Sequence, residues 1–575
     1  MRQFLIIFFS FLSFFSASQS SITTKFEQSK GTQTPTYFEI IEWWKKLDAI
    51  SGKVKVLTMG LTDAGYPLHL AVVSNNGDYN FESIRKKNKR LILINNGIHP
   101  GEPDGIDASM LLSRDIVTGK YKIADNVVLA FIPVYNIGGW LNRSANFRVD
   151  QNGPDEFGFR GNSQNLDLNR DMIKCDSKDA RAFTEIFHLL DPDIFIDNHV
   201  SNGADYQHVM TLLTTQHSKL GGVMGEFTSN IFEPALYSLM KQKGFDLVPY
   251  VNVWGDTPDN GWQEYWDSPR YASGYAALWH TFSFVPESHM LKPYDQRVKA
   301  TYAMMQSFIE FTAANANKIR ELREQTKQLV KTALELPIKW ALDKSKYKEI
   351  EYKGYESGRK ISDVSGQLRL FYDRNKPYQK TVKIFNYFPP KEYVRKPKAY
   401  IIPQGWWKVI ELLKLNKVQM SQLRKDTLIE VEAYRIDDYK TSPRQYEMHH
   451  MNSDVKITAS LKKIIFRKGD WYIPLNQSAN RFLVETLEPK AEDSYFSWNY
   501  FDAILGQKEG YSAYAFEDIA AEYLKKNPEV RSLLEQRKIA DSTFAKDGRA
   551  QLNFVYQNSP WFEPAYMQYP VYRAL

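Results

Sequence analysis

The 575-residue chain reads as a mixed α/β protein whose first half builds a largely parallel sheet flanked by helices. Three observations predict this. Short apolar runs alternate with helical patterns as far as about Arg320. The runs are bounded by polar or turn residues, as strands buried on both faces are. The composition is that of an ordinary globular protein, with 43% hydrophobic and 25% charged residues, 30 Gly and 26 Pro, which excludes collagen-like, fibrous and disordered classes. At roughly 150 residues per domain, the length asks for about two to four domains.

The elements follow in order. Arg2, an apolar run from Phe4 to Phe15 and the small residues Ser16, Ala17 and Ser18 form a charged, an apolar and a cleavage region. The run falls short of the roughly 20 residues of a membrane span. Residues 1–18 are therefore expected to be a secretory signal peptide cleaved near Ser18. The mature protein is expected to be secreted or periplasmic, without integral membrane association. A polar linker occupies residues 19–36. Strands are predicted at Leu91–Ile94, Val127–Val134, Ile194–Ile196 and Thr281–Val285, and helices at Ile106–Val117, Asp179–Leu190, Gly225–Lys243 and Asp295–Val330.

A break at Leu336-Pro337 divides a first domain, 37–335, from a C-terminal mixed α/β accessory domain, 336–575. In the latter, Ala399–Ile402, Leu428–Tyr434, Lys462–Phe466 and Arg481–Thr486 read as strands. Trp406–Leu415, Ala515–Lys525 and Pro528–Gln536 read as helices. The aromatic segments Gln404–Trp407 and Ser494–Tyr500 suit a core, with a carbohydrate or peptide surface as the other reading.

Charge and cysteine usage narrow the chemistry. The net charge of +7 arises from 74 basic and 67 acidic residues spread along the chain, so no basic block marks a nucleic-acid partner. The single cysteine, Cys175, leaves no intramolecular disulfide and no thiolate zinc ribbon. Any metal must be held by His and carboxylate.

In an open, largely parallel sheet, ligands bind beyond the carboxyl ends of the strands. Leu91–Ile94 leads into a Pro/Gly turn carrying His99 and Glu102, Ile194–Ile196 into Asp197-Asn198-His199, and Thr281–Val285 into Pro286-Glu287. Two His and two Glu at the ends of three strands are the inventory of a catalytic zinc site: three ligands and a carboxylate left free to take a proton. His99, Glu102 and His199 are the candidate ligands and Glu287 the candidate base. A lone His-x-x-Glu pair would mean little. The run Arg160–Asp171 between the histidines adds two arginines and two carboxylates without helix or strand periodicity.

His99-x-x-Glu102, Arg160, Asp167-Leu168-Asn169-Arg170, His199, a tyrosine and Glu287, in this order, resemble the carboxypeptidase A-like family of zinc metallopeptidases over residues 37 to 320. The resemblance implies one Zn2+ per chain held by His99, Glu102 and His199, with Asp167 behind His99. It implies Glu287 as general base, Arg160 as stabiliser of the oxyanion, and Asn169 and Arg170 as the grip on a terminal carboxylate. Tyr271 is the preferred match to the family's carboxylate-closing tyrosine, with Tyr275 as the alternative. The implied substrates are peptides with a free C-terminus.

Departures are the missing disulfide, no recognisable activation propeptide, and the setting Val285-Pro286-Glu287-Ser288-His289, in which His289 would share the face of Glu287. The remaining histidines read as structural. Ala276–Trp279 is expected to floor the specificity pocket, and its apolar character favours apolar C-terminal residues. Two other functions stay open: a zinc amidase acting on cell-wall peptides or N-acyl amino acids, and a binding protein with a dead site, against which the presence of Glu287 speaks. The oligomeric state is not set by the sequence.

Overall fold

The computed structural model describes residues 22–575. The signal-peptide reading of residues 1–18 lies outside the described residues. The described residues divide into two compact units: 22–396, 407–419 and 474–494 form the first, and 397–406, 420–473 and 495–575 the second.

The first unit is organised by an eight-stranded sheet of β1 (Val54–Leu61), β2 (Pro67–Ser74), β3 (Arg90–Asn96), β4 (Val127–Ile132), β5 (Ile194–Ser201), β6 (Met210–Thr214), β7 (Leu247–Pro249) and β8 (Phe282–His289). Their spatial order is β1-β2-β4-β3-β5-β8-β6-β7. The centre, β4-β3-β5-β8, is parallel throughout, and antiparallel pairs flank it. β3, β4 and β5 are buried along their whole length, which explains why they read as unbroken apolar runs. Each predicted strand of this half is present.

Helices α1 (Tyr37–Ile50), α2 (Asp104–Val117), α3 (Lys178–Leu190), α4 (Ala272–Leu278), α5 (Tyr294–Ala314) and α6 (Ala316–Thr332) flank the sheet. Helix α1 starts in a capping box in which Thr36 and Glu39 satisfy each other's backbone N–H groups, a device typically worth about 1 kcal/mol. Helix α2 follows the His99–Glu102 turn directly, and its first residue is fixed from across the core: buried Arg297 donates through Nε to Asp104 Oδ2 at 3.1 Å. The turn is thus held at both ends by rigid elements.

The first unit continues past the Leu336-Pro337 break to Lys396. The reason is a long antiparallel hairpin, β9 (Lys348–Ile361) and β10 (Leu368–Phe385). Tyr352, Val382 and Ile384 of the hairpin share one buried cluster with Tyr206, Val248, Val251, Val253 and Trp262. Two-residue strand Trp262–Gln263 pairs in parallel with β10.

The segment Arg481–Thr486, expected as a strand, is instead inside the helix Asn480–Leu487, all of whose residues are buried. A short apolar run has the same composition in either form. The Arg481 to Glu485 ion pair, with Nε 2.7 Å from Oε1 at i,i+4 spacing, is the feature that favours the helix.

The second unit carries a six-stranded sheet with strands at Ser421–Gln422, Trp471–Pro474, Ala399–Ile402, Tyr572–Ala574, Thr427–Thr441 and Asn452–Phe466, in that spatial order. Its helices Ala513–Lys526, Pro528–Ala540 and Gly548–Gln557 close on a cluster of Phe516, Leu534, Phe544, Leu552 and Tyr556. Tyr495, Phe496 and Trp498 are fully buried and Tyr500 is half-buried, so the Ser494–Tyr500 segment belongs mainly to the core; Trp407 alone among the singled-out tryptophans is largely exposed.

Candidate metal centre

His99 and Glu102 leave the carboxyl end of β3 on a turn closed by the Glu102 N–H to His99 C=O bond of 2.9 Å. His199 lies in β5, the strand paired with β3. One ligand atom from each of these three residues comes within 4.8 Å of the other two. The two imidazoles meet edge to face with centroids 4.8 Å apart.

The outward nitrogens are tied to carboxylates. His99 Nε2 is 3.0 Å from Asp167 Oδ1, and His199 Nε2 is 2.8 Å from Asp197 Oδ2. An ionised carboxylate only accepts, so each imidazole donates its Nε2 proton outward, which leaves Nδ1 as the atom that would face a metal. His99 Nδ1 is buried without a hydrogen-bond partner, and His199 Nδ1 is 3.0 Å from Glu102 Oε2. Two imidazole nitrogens and a carboxylate oxygen, one of them an orphan donor group in a buried site, fit a zinc ion.

The electrostatics agree. Burial pushes the Glu102 carboxyl up, but His99 and Arg148 outweigh it and hold it well below the usual range. Asp167 is likewise raised by burial and lowered further by His99, Arg160 and Arg170. Burial pulls His199 down, yet Asp197 and Glu102 hold it well above the usual imidazole value. The site is built for positive charge.

Glu287 stands on β8 directly opposite His199, its registered partner on β5. Neighbouring strands run about 4.8 Å apart, so sheet geometry alone brings the carboxylate beside the ligand set. Burial, with the nearby Glu102 charge, pushes Glu287 up to about 8 against the opposing influence of His199, Arg148 and Arg160. A carboxyl beside the ligand set is placed to take and return a proton.

These groups open onto a cavity of about 360 Å³ whose lining includes Arg148, Arg160, Asn169, Arg170, Tyr250, Trp254 and Tyr271. Arg170 rises from the turn Leu168–Arg170, and Asp167 ties that turn to Arg160 of the preceding loop: its Oδ2 accepts from Arg160 Nε at 3.0 Å and its Oδ1 from Asn169 N–H at 2.9 Å. The Asn169 side-chain oxygen accepts from the Ala272 N–H at 2.9 Å, so the amide NH2 is the group left for a ligand. The Arg170 guanidinium lies 4.5 Å from the Tyr271 ring centroid.

Residues 40–190 match the profile of the zinc carboxypeptidase family. This segment is similar to a zinc carboxypeptidase domain. Among solved structures the chain is similar to the metallo-carboxypeptidase of Burkholderia cenocepacia, at 15% identity and a TM-score of 0.35 over 48% of this chain and 68% of that one. It is similar to the Pseudomonas aeruginosa metallo-carboxypeptidase in complex with (2-guanidinoethylmercapto)succinic acid, at 13% identity and a TM-score of 0.36 over 49% and 69%. Carboxypeptidase A of Helicoverpa armigera gives 14%, 0.37, 49% and 74%. No curated protein matches the chain.

The structure gathers His99, Glu102, His199, Asp167, Arg160, Asn169, Arg170, Tyr271 and Glu287 around one cavity. Tyr275 is elsewhere: it is fully buried, donating its hydroxyl to Asn416 Oδ1 at 2.7 Å. The expected pocket floor is also elsewhere. Ala276, Ala277 and Leu278 are buried in α4, and Trp279 packs on His188 and Phe482. Helical geometry turns that segment into the core, and Leu213, Ser273 and Val285 line the cavity in its place. His289 does not line it either; fully buried, it stacks on Tyr206 at 4.0 Å between centroids.

Two residues escaped the sequence reading. Asp197 precedes His199 by two positions on a strand, and that same-face spacing was a legible signal. Arg148, which donates to Glu102 Oε1 at 2.8 Å, sits in an aperiodic loop with nothing to mark it.

Proposed function

We propose that the protein is an exported, zinc-dependent metallocarboxypeptidase that removes C-terminal residues from peptides. The observation that carries this is the pairing of Glu287 with His199 across adjacent strands, beside the His99, Glu102 and His199 ligand set and inside a cavity lined by Arg160, Asn169 and Arg170.

Zinc bound by His99, Glu102 and His199 would supply Lewis acidity toward a carbonyl and toward water. Glu287 takes the proton of the attacking water and delivers it to the departing amine. Arg160 faces the developing oxyanion, a role whose loss typically costs about 100-fold or more. Arg170 and the Asn169 amide hold the terminal carboxylate, with Arg offering a planar fork, and the Tyr271 ring covers Arg170. Leu213 and Val285 give the cavity an apolar wall, which supports preference for apolar C-terminal residues. Export is supported by Arg2 and the Phe4–Phe15 run.

Mass spectrometry of a mixed peptide pool after incubation with the zinc-loaded protein tests the reading. Ladders shortened one residue at a time from the C-terminus are expected, fastest from Phe and slower from Lys. Internal cuts, or release only from cell-wall fragments, would overturn it in favour of endopeptidase or amidase chemistry.

A further inference from the structure

Arg148 and Gly101 fit each other in a way that bears on the metal centre. A Cβ on Gly101 would stand 2.5 Å from Arg148 Cδ and 3.3 Å from its Cγ. The aliphatic stem of the arginine therefore occupies the space a side chain at 101 would fill. With the stem seated there, the guanidinium spends each of its nitrogens on a different acceptor. Nε donates to Gln151 Oε1 at 2.6 Å, Nη1 to Glu102 Oε1 at 2.8 Å, and Nη2 to the Val200 carbonyl at 3.1 Å. Gln151 completes a ring by donating through Nε2 to the Gly101 carbonyl at 2.9 Å.

The opposite oxygen of Glu102 is fixed independently: Oε2 accepts from the Val200 N–H at 2.9 Å and lies 3.0 Å from His199 Nδ1. Both carboxylate oxygens are thus held, one by the loop at 148–151 and one by β5. Arg148 itself bridges the His99–Glu102 turn to β5 through the Val200 carbonyl.

We propose that Arg148 is the positioning residue of Glu102, seated in the gap left by Gly101, and that it orients the carboxylate for zinc. This rests on the metallocarboxypeptidase reading above. A planar fork that contacts three acceptors at once cannot be reproduced by an ammonium, which offers a point charge on a flexible stem. An alanine at 101 would displace the arginine without changing any charged group.

The test uses full-length protein stripped of metal and reloaded with zinc, with the zinc dissociation constant read by competition against a chromophoric chelator. Groups that orient metal ligands typically contribute about 10–100-fold in metal affinity, so Arg148→Ala and Gly101→Ala should each weaken zinc binding by that order, and Arg148→Lys by less. Thermal unfolding of the metal-free proteins, followed by circular dichroism, accompanies the measurement. A purely structural role would lower metal-free stability and leave zinc affinity alone. If wild type binds zinc and folded Arg148→Ala or Gly101→Ala binds it within about twofold of wild type, the positioning role is overturned while the parent reading stands. If wild type binds no zinc, the parent reading falls and takes this proposal with it. Should Arg148→Ala fail to fold, Gly101→Ala and Arg148→Lys decide.

Discussion

Glu287 and Arg170 divide the proposed chemistry between proton transfer and grip, and their loss should be distinguishable. Glu287→Gln keeps the shape of the side chain and removes its proton-accepting ability. Turnover should fall by about 100-fold or more while zinc content, measured by metal analysis, stays at one per chain. Arg170→Ala should raise KM for peptides with a free C-terminus by about 10–100-fold, the worth of a hydrogen bond to a charged group, and leave C-terminally amidated peptides unaffected. An unchanged KM would place the carboxylate grip elsewhere. At this scale most of the centre was legible, because His99, Glu102, His199 and Glu287 are polar residues closing apolar strands, and such placement is visible without a fold. Asp197 was equally visible and needed only the two-residue period. Arg148 was not, since its contact with Glu102 crosses 46 positions from a loop without pattern.

Strand registers and helix faces decide what those residues can do together. The parallel pairing of β5 with β8 sets His199 opposite Glu287, and no sequence pattern states which strands are neighbours. The short parallel runs made the central sheet readable. The helix Asn480–Leu487 was not, because a short segment centred on the apolar triplet Phe482–Val484 suits either form until its neighbours are known. The pocket floor was misplaced for a related reason: a helix turns its face every residue, and α4 gives Ala276–Leu278 to the core. The hairpin β9–β10 has a consequence for the cavity wall. Its partner Trp262 donates through Nε1 to the Tyr250 carbonyl at 2.8 Å, and Tyr250 lines the cavity. Trp262→Phe keeps apolar packing but removes that donor, so steady-state kinetics should show KM raised and zinc content unchanged. The expected stability loss is about 0.5–1.5 kcal/mol from the hydrogen bond itself.

For the molecule as a whole, acid should act through buried neutral histidines. Burial holds His69 and His188 down at about 4 and His280 at about 3. In the unfolded chain each takes a proton near 6.5. Because the folded values are depressed, their contribution to stability is complete above about pH 6.5 and is lost as pH falls through about 4. Between pH 7 and pH 4.5 the urea midpoint of His280→Gln should therefore fall less, or rise more, than that of the wild type. An unchanged slope in the variant would remove His280 from the account.

The interleaving of the first unit has a consequence for the order in which the protein can be completed during synthesis. All the proposed ligands of the metal centre, and Glu287, exist once residue 287 is made. The loop that carries Tyr271 is pinned much later: Arg270 pairs through Nη2 with Asp493 Oδ1 at 2.7 Å, and its N–H donates to Asp493 Oδ2 at 2.8 Å. Asn416, which receives the Tyr275 hydroxyl, is also a late arrival. A series of chains ending after residues 396, 494 and 575 should therefore separate two abilities, with zinc retention acquired before peptide turnover, and turnover appearing only in chains that extend beyond Asp493.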